Sequence, residues 1–476
     1  MLSQSTMPEY QAASVFDKCP LDILYMVFKL LSTAELHKLC LVNKPFRAIA
    51  EPFLYSKIHW SWGEPLSPHP ITQLLRTLIC RPQLAAYITG IHLDRMTSKH
   101  NSIYPTFRRS STPTAELYSA IAFIRETGVP YSDLWIQEMH LATMDAFVAL
   151  LLAQVPNLRY LSLGPDVARP DRLIGMVLRS AICEPMNYKL PSFEHLQDVS
   201  FLLNLGQNYV REKQSKDIAA LSLFYLPNIR HMSASIENLT TFSWPKAHLP
   251  TPSQLTSLDL TKIREIYLGE LLSVTPNLKS LHWKWQYDHG LDDDLNLPIL
   301  DLDRIAAAIS HVRGTLTELT ITGCCEIKGD DQWIPSIEIK GSLNAMVNWA
   351  MLKKLQIPWA FLMGFERDKS KRLQHVMPKN IEFLSITDDL KLQDNDSTQP
   401  EWPLWIWNEY KILKKLRLWL EDRSTCTPHL RRITLTLRTE WIFAEFDEWS
   451  PDIRQAYRDL GARTGVELEI IELDTK

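Results

Sequence analysis

Residues 255–283, LTSLDLTKIREIYLGELLSVTPNLKSLHW, decide the fold. Leu255, Leu258 and Leu260 form an h-x-x-h-x-h pattern, h being apolar, and the pattern returns at Leu278, Leu281 and Trp283. The alternation that closes each copy is the period of a half-buried strand, while Ile263 to Val274 between them carries apolar residues at helical spacing. The stretch therefore reads strand, helix, strand. Neighbouring strands joined by such a helix run parallel, because a parallel pair needs a crossover of about a dozen residues or more.

Outward from this stretch the pattern recurs at Leu158/Leu161/Leu163, Leu316/Leu319/Ile321, Leu352/Leu355/Ile357, Ile381/Leu384/Ile386 and Leu413/Leu416/Leu418. Weaker copies lie at Ile88/Ile91/Leu93, Ile136/Met139/Leu141, Leu196/Val199/Phe201, Ile229/Met232/Ala234 and Leu430/Ile433/Leu435. Pro-Asn precedes three copies, at 156–157, 227–228 and 276–277. Helices are expected at Leu173–Ile182, Leu302–Val312, Leu343–Ala350 and Arg367–Val376. A unit of one strand and one helix leaves an apolar face bare, so neighbours must stack to bury a continuous core. Val466 to Leu473 alternates apolar and acidic residues and is expected as a closing edge strand, its glutamates discouraging edge-to-edge pairing. Asp288 to Asp303 and Asp388 to Pro400 read as exposed loops.

Residues 16–55, FDKCPLDILYMVFKLLSTAELHKLCLVNKPFRAIAEPFLY, are different. Pro20 suits a first helical turn, and Ile23, Leu24, Val27, Phe28 and Leu31 recur at helical spacing. Ser32 and Glu35 make a capping box for a second helix with Leu36, Leu39 and Cys40 on one side. Asn43 and Pro45 open a third helix carrying Phe46, Ile49 and Ala50, and Pro52 argues against its extension. About 40 residues with this many large apolar side chains seldom bury enough surface alone, so part of that surface must meet something else.

This stretch resembles an F-box: Pro20, Asp22, Ile23, Leu24, Val27, Phe28, Leu31, Leu36, Leu39, Val42, Asn43, Phe46 and Arg47 fall where that family places matching residue types. Cys19 stands where the family normally has leucine. The resemblance implies docking of the Skp adaptor of an SCF (Skp–cullin–F-box) ubiquitin ligase through Pro20, Ile23, Leu24, Val27, Phe28, Leu31, Leu36, Leu39, Val42 and Phe46. The downstream copies resemble a degenerate leucine-rich-repeat solenoid, although the asparagine that family carries after the strand is mostly absent. The expected fold is thus α/β, a three-helix F-box followed by a curved solenoid with parallel strands inside and helices outside. Its expected parts are a disordered terminus at 1–14, the F-box at 15–55, a connector or cap at 56–87 and the array at 88–476. A doubly wound α/β domain is the competing arrangement, and the lack of G-x-G speaks against its dinucleotide-binding version.

Composition narrows the function. The 476 residues are 45% hydrophobic with a formal net charge of −4, so there is no overall basic field for nucleic acid. The apolar run from Phe147 to Val155 is too short to cross a bilayer, and Met1 to Tyr10 lacks the marks of a leader. Seven cysteines with no C-x-x-C suit reduced thiols in cytosol or nucleus, which makes the sequons at Asn238 and Asn395 irrelevant. There is no phosphate loop, no H-E-x-x-H and no G-x-S-x-G elbow. Cys324-Cys325 lacks ligands at zinc spacing, and His289 with Asp292, Asp293 and Asp294 reads as a solvated acidic loop. No cofactor or metal is expected, and any ligase chemistry would belong to partners.

Strand alternation puts Tyr160, His231, Asp259, His282, Lys284, Glu318 and Lys354 on the face opposite the core. The same reading puts Lys415, Arg417, Trp419 and Arg432 there as a basic and aromatic cluster for an acidic or phosphorylated partner segment. Trp402, Trp405 and Trp407 read as packing groups. The favoured function is a substrate-recognition adaptor of the ligase; a Skp-bound scaffold without ligase activity and an unrecognised enzyme on a repeat scaffold are the alternatives.

Overall fold

A computed structural model describes residues 19–62, 70–95, 114–164, 167, 173–201, 219–236, 238, 241–289, 296–326, 335–365, 372–391, 393, 409–439 and 450–474. The expectations for residues 1–14, Asp292 to Asp294, Asn395, and Trp402, Trp405 and Trp407 fall outside them.

The strands are β1 (Lys57–Trp62), β2 (Gly90–Arg95), β3 (Tyr160–Leu163), β4 (Asp198–Phe201), β5 (His231–Ser235), β6 (Ser257–Thr261), β7 (Ser280–Asp288), β8 (Ile299–Asp301), β9 (Glu318–Glu326), β10 (Glu338–Lys340), β11 (Lys354–Pro358), β12 (Phe383–Thr387), β13 (Arg432–Thr439) and β14 (Glu467–Asp474). Apart from β8 and β10, which pair with each other, they form one twelve-stranded sheet in which each strand lies beside its predecessor in chain order. Every pairing is parallel.

Among them run α1 (Leu21–Phe28), α2 (Thr33–Val42), α3 (Lys44–Ser56), α4 (Pro70–Cys80), α5 (Thr114–Thr127), α6 (Ser132–His140), α7 (Met144–Leu152), α8 (Leu173–Cys183), α9 (Ala219–Ser222), α10 (Glu265–Ser273), α11 (Leu302–Ser310), α12 (Trp359–Met363), α13 (Glu409–Glu421), α14 (Arg423–Cys426) and α15 (Pro451–Thr464).

The register explains why the strands stack in order. One row across the sheet reads Ile58, Ile91, Leu161, Val199, Met232, Leu258, Leu281, Leu319, Leu355, Leu384, Ile433 and Leu468. All are buried except Leu468 on the edge strand, which is half-buried. A one-residue slip would turn any strand's apolar set to water, so the row fixes the register. At the foot of the strands each turn is locked to the last. The Arg230 carbonyl accepts from the N–H of Thr256 and of Ser257 (3.0 and 3.1 Å), the Thr256 carbonyl from Lys279 and Ser280 (2.9 and 3.0 Å), and the Lys279 carbonyl from Thr317 and Glu318 (2.8 and 3.0 Å). Three residues before a strand, Asn157, Asn228, Asn277 and Asn380 donate through Nδ2 to the carbonyls of Ala86, Glu194, Ser253 and Ala350, at 2.7–2.9 Å. The asparagines of the Pro-Asn dipeptides are thus rungs that tie each turn to a carbonyl of the preceding one.

Several expectations need correction. The copies at Ile136/Met139/Leu141 and Leu413/Leu416/Leu418 are not strands but lie in or at the end of α6 and α13. An i, i+3 pair fits both periods; what decides is Trp135 with Met139, and Ile412 with Leu416, Trp419 and Leu420, buried stripes at i, i+4, i+7 and i+8. Leu343–Ala350 and Arg367–Val376 hold only short 3-10 turns among the described residues, Asn344–Asn348 and Leu373–His375. The loop expected over Asp288–Asp303 contains β8 and the start of α11, with Leu300 buried. α3 passes through Pro52 to Ser56, where Phe53 and Leu54 pack on the helical unit's core and offset the hydrogen bond the ring removes. β1 follows α3 without a loop, and β14 closes the far edge as expected.

Candidate docking surfaces

The helices α1 to α3 close on a small core of Leu24, Phe28, Leu36, Phe46, Ile49 and Ala50. Phe28 and Phe46 meet edge to face at 5.9 Å. The caps follow the sequence: Ser32 Oγ accepts from Glu35 N–H while Glu35 answers to Ser32 N–H (2.8 Å), and Asn43 Oδ1 accepts from Phe46 N–H (2.7 Å). Of the residues assigned to adaptor docking, Leu24, Phe28, Leu36 and Phe46 therefore hold the unit together, and Leu31 and Leu39 are half-buried against it. Pro20, Ile23, Val27 and Val42 face solvent. The outer surface also carries side chains that sequence reasoning passed over: Leu21, Tyr25, Met26, Leu30 and Leu41, with Leu30 86% exposed. A signal for them was present, since LDILYMVF is apolar on nearly every side and a helix of that kind asks for cover all round. Large apolar side chains crowded on one exposed unit mark an interaction surface.

This unit is anchored to the sheet. Arg81, just after α4, donates both guanidinium arms to the Glu51 carboxylate (2.8 Å each), and Arg47 adds a third donor at 3.0 Å. The bidentate Arg81 bond, reinforced by Arg47, holds the Glu51 carboxyl below its usual range against a smaller opposing effect of burial. The Ser56 carbonyl at the end of α3 accepts from Thr89 N–H and Oγ1 (2.9 and 3.1 Å), so α3 is tied to the first turn of the sheet.

The sheet face opposite the core is polar and low. Ser162, Ser200, Ser233, Asp259, His282 and Thr320 occupy one row of successive strands. Acidic and basic side chains meet across neighbouring strands: Asp198 with the His231 imidazole (2.5 Å), Asp259 with the His282 imidazole (3.2 Å), Glu318 with Lys354 (2.6 Å) and Arg432 with Glu467 (2.8 Å). Such cross-strand pairs stabilise the sheet modestly and leave the face without a dominant sign. Tyr160 stands out of it, and Lys284 lies half-buried on it. The expected cluster of Lys415, Arg417, Trp419 and Arg432 does not assemble here. Arg432 is on β13, but the other three are on α13, where Trp419 is fully buried and Arg417 lies 3.7 Å from Glu421.

Past the end of β12 the chain departs most from expectation. Asp388, Asp389, Leu390, Lys391 and Gln393 are buried, not an exposed loop. Asp388 accepts from Arg438 N–H (2.9 Å) and Lys391 Nζ (3.0 Å), and Lys391 also donates to the Arg438 carbonyl (2.9 Å). Asp389 accepts from Gly323 N–H (2.8 Å) and pairs with Arg438 (3.0 Å), so the segment bridges β12 to β9 across the end of β11. Leu390, at φ 64°, lies over Gly323, where a Cβ would come within 2.9 Å of it. Burial pushes both aspartate carboxyls up, against their cationic partners. Arg264 and Glu265 form another buried pair, completed by Trp285 Nε1 and the carbonyls of Leu297 and Ile299. Each charge in these groups is met by a partner inside the fold, which makes them staples between strands.

Cys324 and Cys325 are half-buried on β9 and form no disulfide. Among the described residues no group of His, Cys, Asp or Glu could hold a metal ion, and no helix is long and apolar enough to cross a membrane. Compared with models of protein families and with curated proteins, the sequence gives no match.

Proposed function

We propose that the protein is the substrate-recognition adaptor of an SCF-type ubiquitin ligase, in which α1–α3 act as an F-box holding the Skp adaptor while the parallel sheet and its helices, a leucine-rich-repeat-like solenoid, select a protein target. The observation that carries this reading is the outer surface of α1 and α2, where Ile23, Met26, Val27, Leu30, Leu41 and Val42 are exposed together on a unit whose own core is already complete. Burying a large apolar side chain is worth about 1.5–3 kcal/mol before ordering costs, so a few of these suffice for a stable complex. The Glu51–Arg81 anchor supports it further, because a target delivered by proximity must be held at a fixed distance and angle from the transfer machinery. On this reading the chain supplies no bond chemistry; it raises the effective concentration of the target near a charged conjugating enzyme.

Co-purification tests it. Wild-type protein should recover a Skp adaptor and a cullin, and Val27→Asp with Leu30→Asp should lose both while unfolding at an unchanged temperature, since both side chains are exposed in the free chain. Recovery of the adaptor without a cullin would favour the scaffold reading, and recovery unchanged by the double substitution would exclude docking through this surface.

A further inference from the structure

We infer that the outer edge of β14 takes up an extended segment of a partner protein as a thirteenth, parallel strand, with a cation facing Glu469 and apolar side chains on either side of it. The Glu467 N–H donates to the Arg431 carbonyl (2.8 Å), so the backbone groups of Glu467, Glu469 and Ile471 point into the sheet. Those of Leu468, Ile470 and Glu472 point away from β13. Among the described residues no strand lies beyond β14, and these outward N–H and C=O groups have no ladder partner. An edge of eight residues with such a row is a template for a further strand.

Side chains select the occupant. Ile433 and Leu435 of β13 are fully buried, yet Leu468 and Ile470 opposite them are only half-buried, because the apolar rows stop at β14. On the other face, where β13 carries Thr436 and Arg438, β14 has Ile471 and Leu473, 38% and 44% exposed. Arg432 neutralises Glu467 and Arg454 neutralises Glu472, which leaves Glu469 as the acid of this strand without an ion-pair partner among the described side chains. Pairing with a second copy of the chain would line one seam with the glutamates of both strands, so the acids exclude it. The fitting segment therefore places apolar residues opposite Leu468, Ile470, Ile471 and Leu473 and Lys or Arg opposite Glu469. Its main chain supplies most of the affinity, and Glu469 sets the register. This edge is at the other end of the sheet from α1–α3 and does not depend on what they dock.

The probe is a fluorescein-labelled peptide, Thr-Val-Lys-Val-Val-Thr-Val with a Gly-Ser tail, followed by fluorescence anisotropy on the full chain. Saturable binding is expected. N-methylation of its lysine and of the valine opposite Ile471, whose N–H groups face β14, should weaken binding about tenfold or more, and N-methylation of the valine opposite Ile470 by less than about twofold. Glu472→Pro removes an outward N–H and should weaken binding about tenfold, while Glu472→Ala, which also loses the pair with Arg454 but keeps that N–H, should not. Glu469→Lys should weaken binding about two- to fivefold and turn the preference to a probe with glutamate in place of lysine. Equal weakening by both Glu472 variants, binding indifferent to N-methylation, no saturable binding, or a dimer of the chain that Glu472→Pro dissolves would overturn the assignment. Leu30→Asp should leave peptide binding unaltered, and Glu472→Pro should retain the Skp adaptor, so failure of either proposal is read separately.

Discussion

The twelve-stranded sheet and the helices α1–α3 both begin with a surplus of apolar side chains, and they dispose of it differently. In the sheet every strand contributes to shared rows, so Leu281, Trp283 and Trp285 on β7 are almost wholly buried and the residues between them are polar or half-covered. Apolar surface left by one turn is covered by the next. Among the described residues the helical unit has no such neighbour on its outer side: six residues complete its core, and Leu21, Met26, Leu30, Leu41 and Val42 are exposed. A repeating architecture consumes its own hydrophobicity, whereas a short unit at its end keeps a remainder that a partner can use.

The sharpest way to break this contrast is a core truncation on each side. Trp283→Ala should cost about 3–5 kcal/mol in urea unfolding, because the indole is fully buried and its Nε1–H bond to the Ile263 carbonyl is lost with it. Phe28→Ala should cost somewhat less, about 3 kcal/mol, and mainly within α1–α3, since Phe28 packs on Phe46 and not on the main core. Hydrogen exchange would separate them: deprotection of α1–α3 with β6–β9 still protected is expected for Phe28→Ala. Spread of its effect into the sheet would mean that the two regions unfold as one.

The strand ladder was legible because one strong rule, two-residue alternation with an apolar row, repeats along the chain, and eleven of the twelve sheet strands were anticipated by a copy of the pattern or, for β14, by its alternating tail; β1 carries no copy of it. Around Leu413 the reading failed because Leu413 and Leu416 satisfy strand and helix templates alike, and Trp419 and Leu420 had to be weighed with them. Asp388 to Lys391 misled for another reason. Polar residues signal a loop, but their burial depends on Arg438 and Gly323, about 50 and 66 residues away in sequence, which no local pattern encodes. On α1–α3 the existence of the helices was readable, while the division of their apolar residues into core and exposed sets required the packing of α3 against α1 and α2.

Acid distinguishes the junction from the staple in the sheet. The Glu51 carboxyl lies below its usual range, so its bonds to Arg81 and Arg47 contribute at neutral pH and are lost as pH falls through the folded value. Glu51→Gln should cost about 1–2 kcal/mol at pH 7, a discounted figure because Arg81 is partly exposed, and the gap to wild type should close on acidification. Asp388 and Asp389 carry the opposite sign: with carboxyls raised by burial, the folded state holds protons the unfolded chain releases, and their contribution weakens as pH rises through that window. Asp389→Asn should therefore flatten the pH dependence in the opposite direction from Glu51→Gln, measured by unfolding free energies across the carboxylate range.

The smallest expected effect concerns the rungs. Asn277→Ala removes one side-chain donor and leaves the Ser253 carbonyl to water, at a cost of about 1 kcal/mol. Asn157 serves the Ala86 carbonyl, several strands away in the sheet, so the double substitution should cost the sum of the two within about 0.5 kcal/mol. Additivity is what a stack of nearest-neighbour turns requires, because each asparagine ties only its own turn to the one before. A coupling well above that margin in a double-mutant cycle would show that the sheet behaves as a single packed body, and the contrast with the helical unit would then rest on size alone and not on repetition.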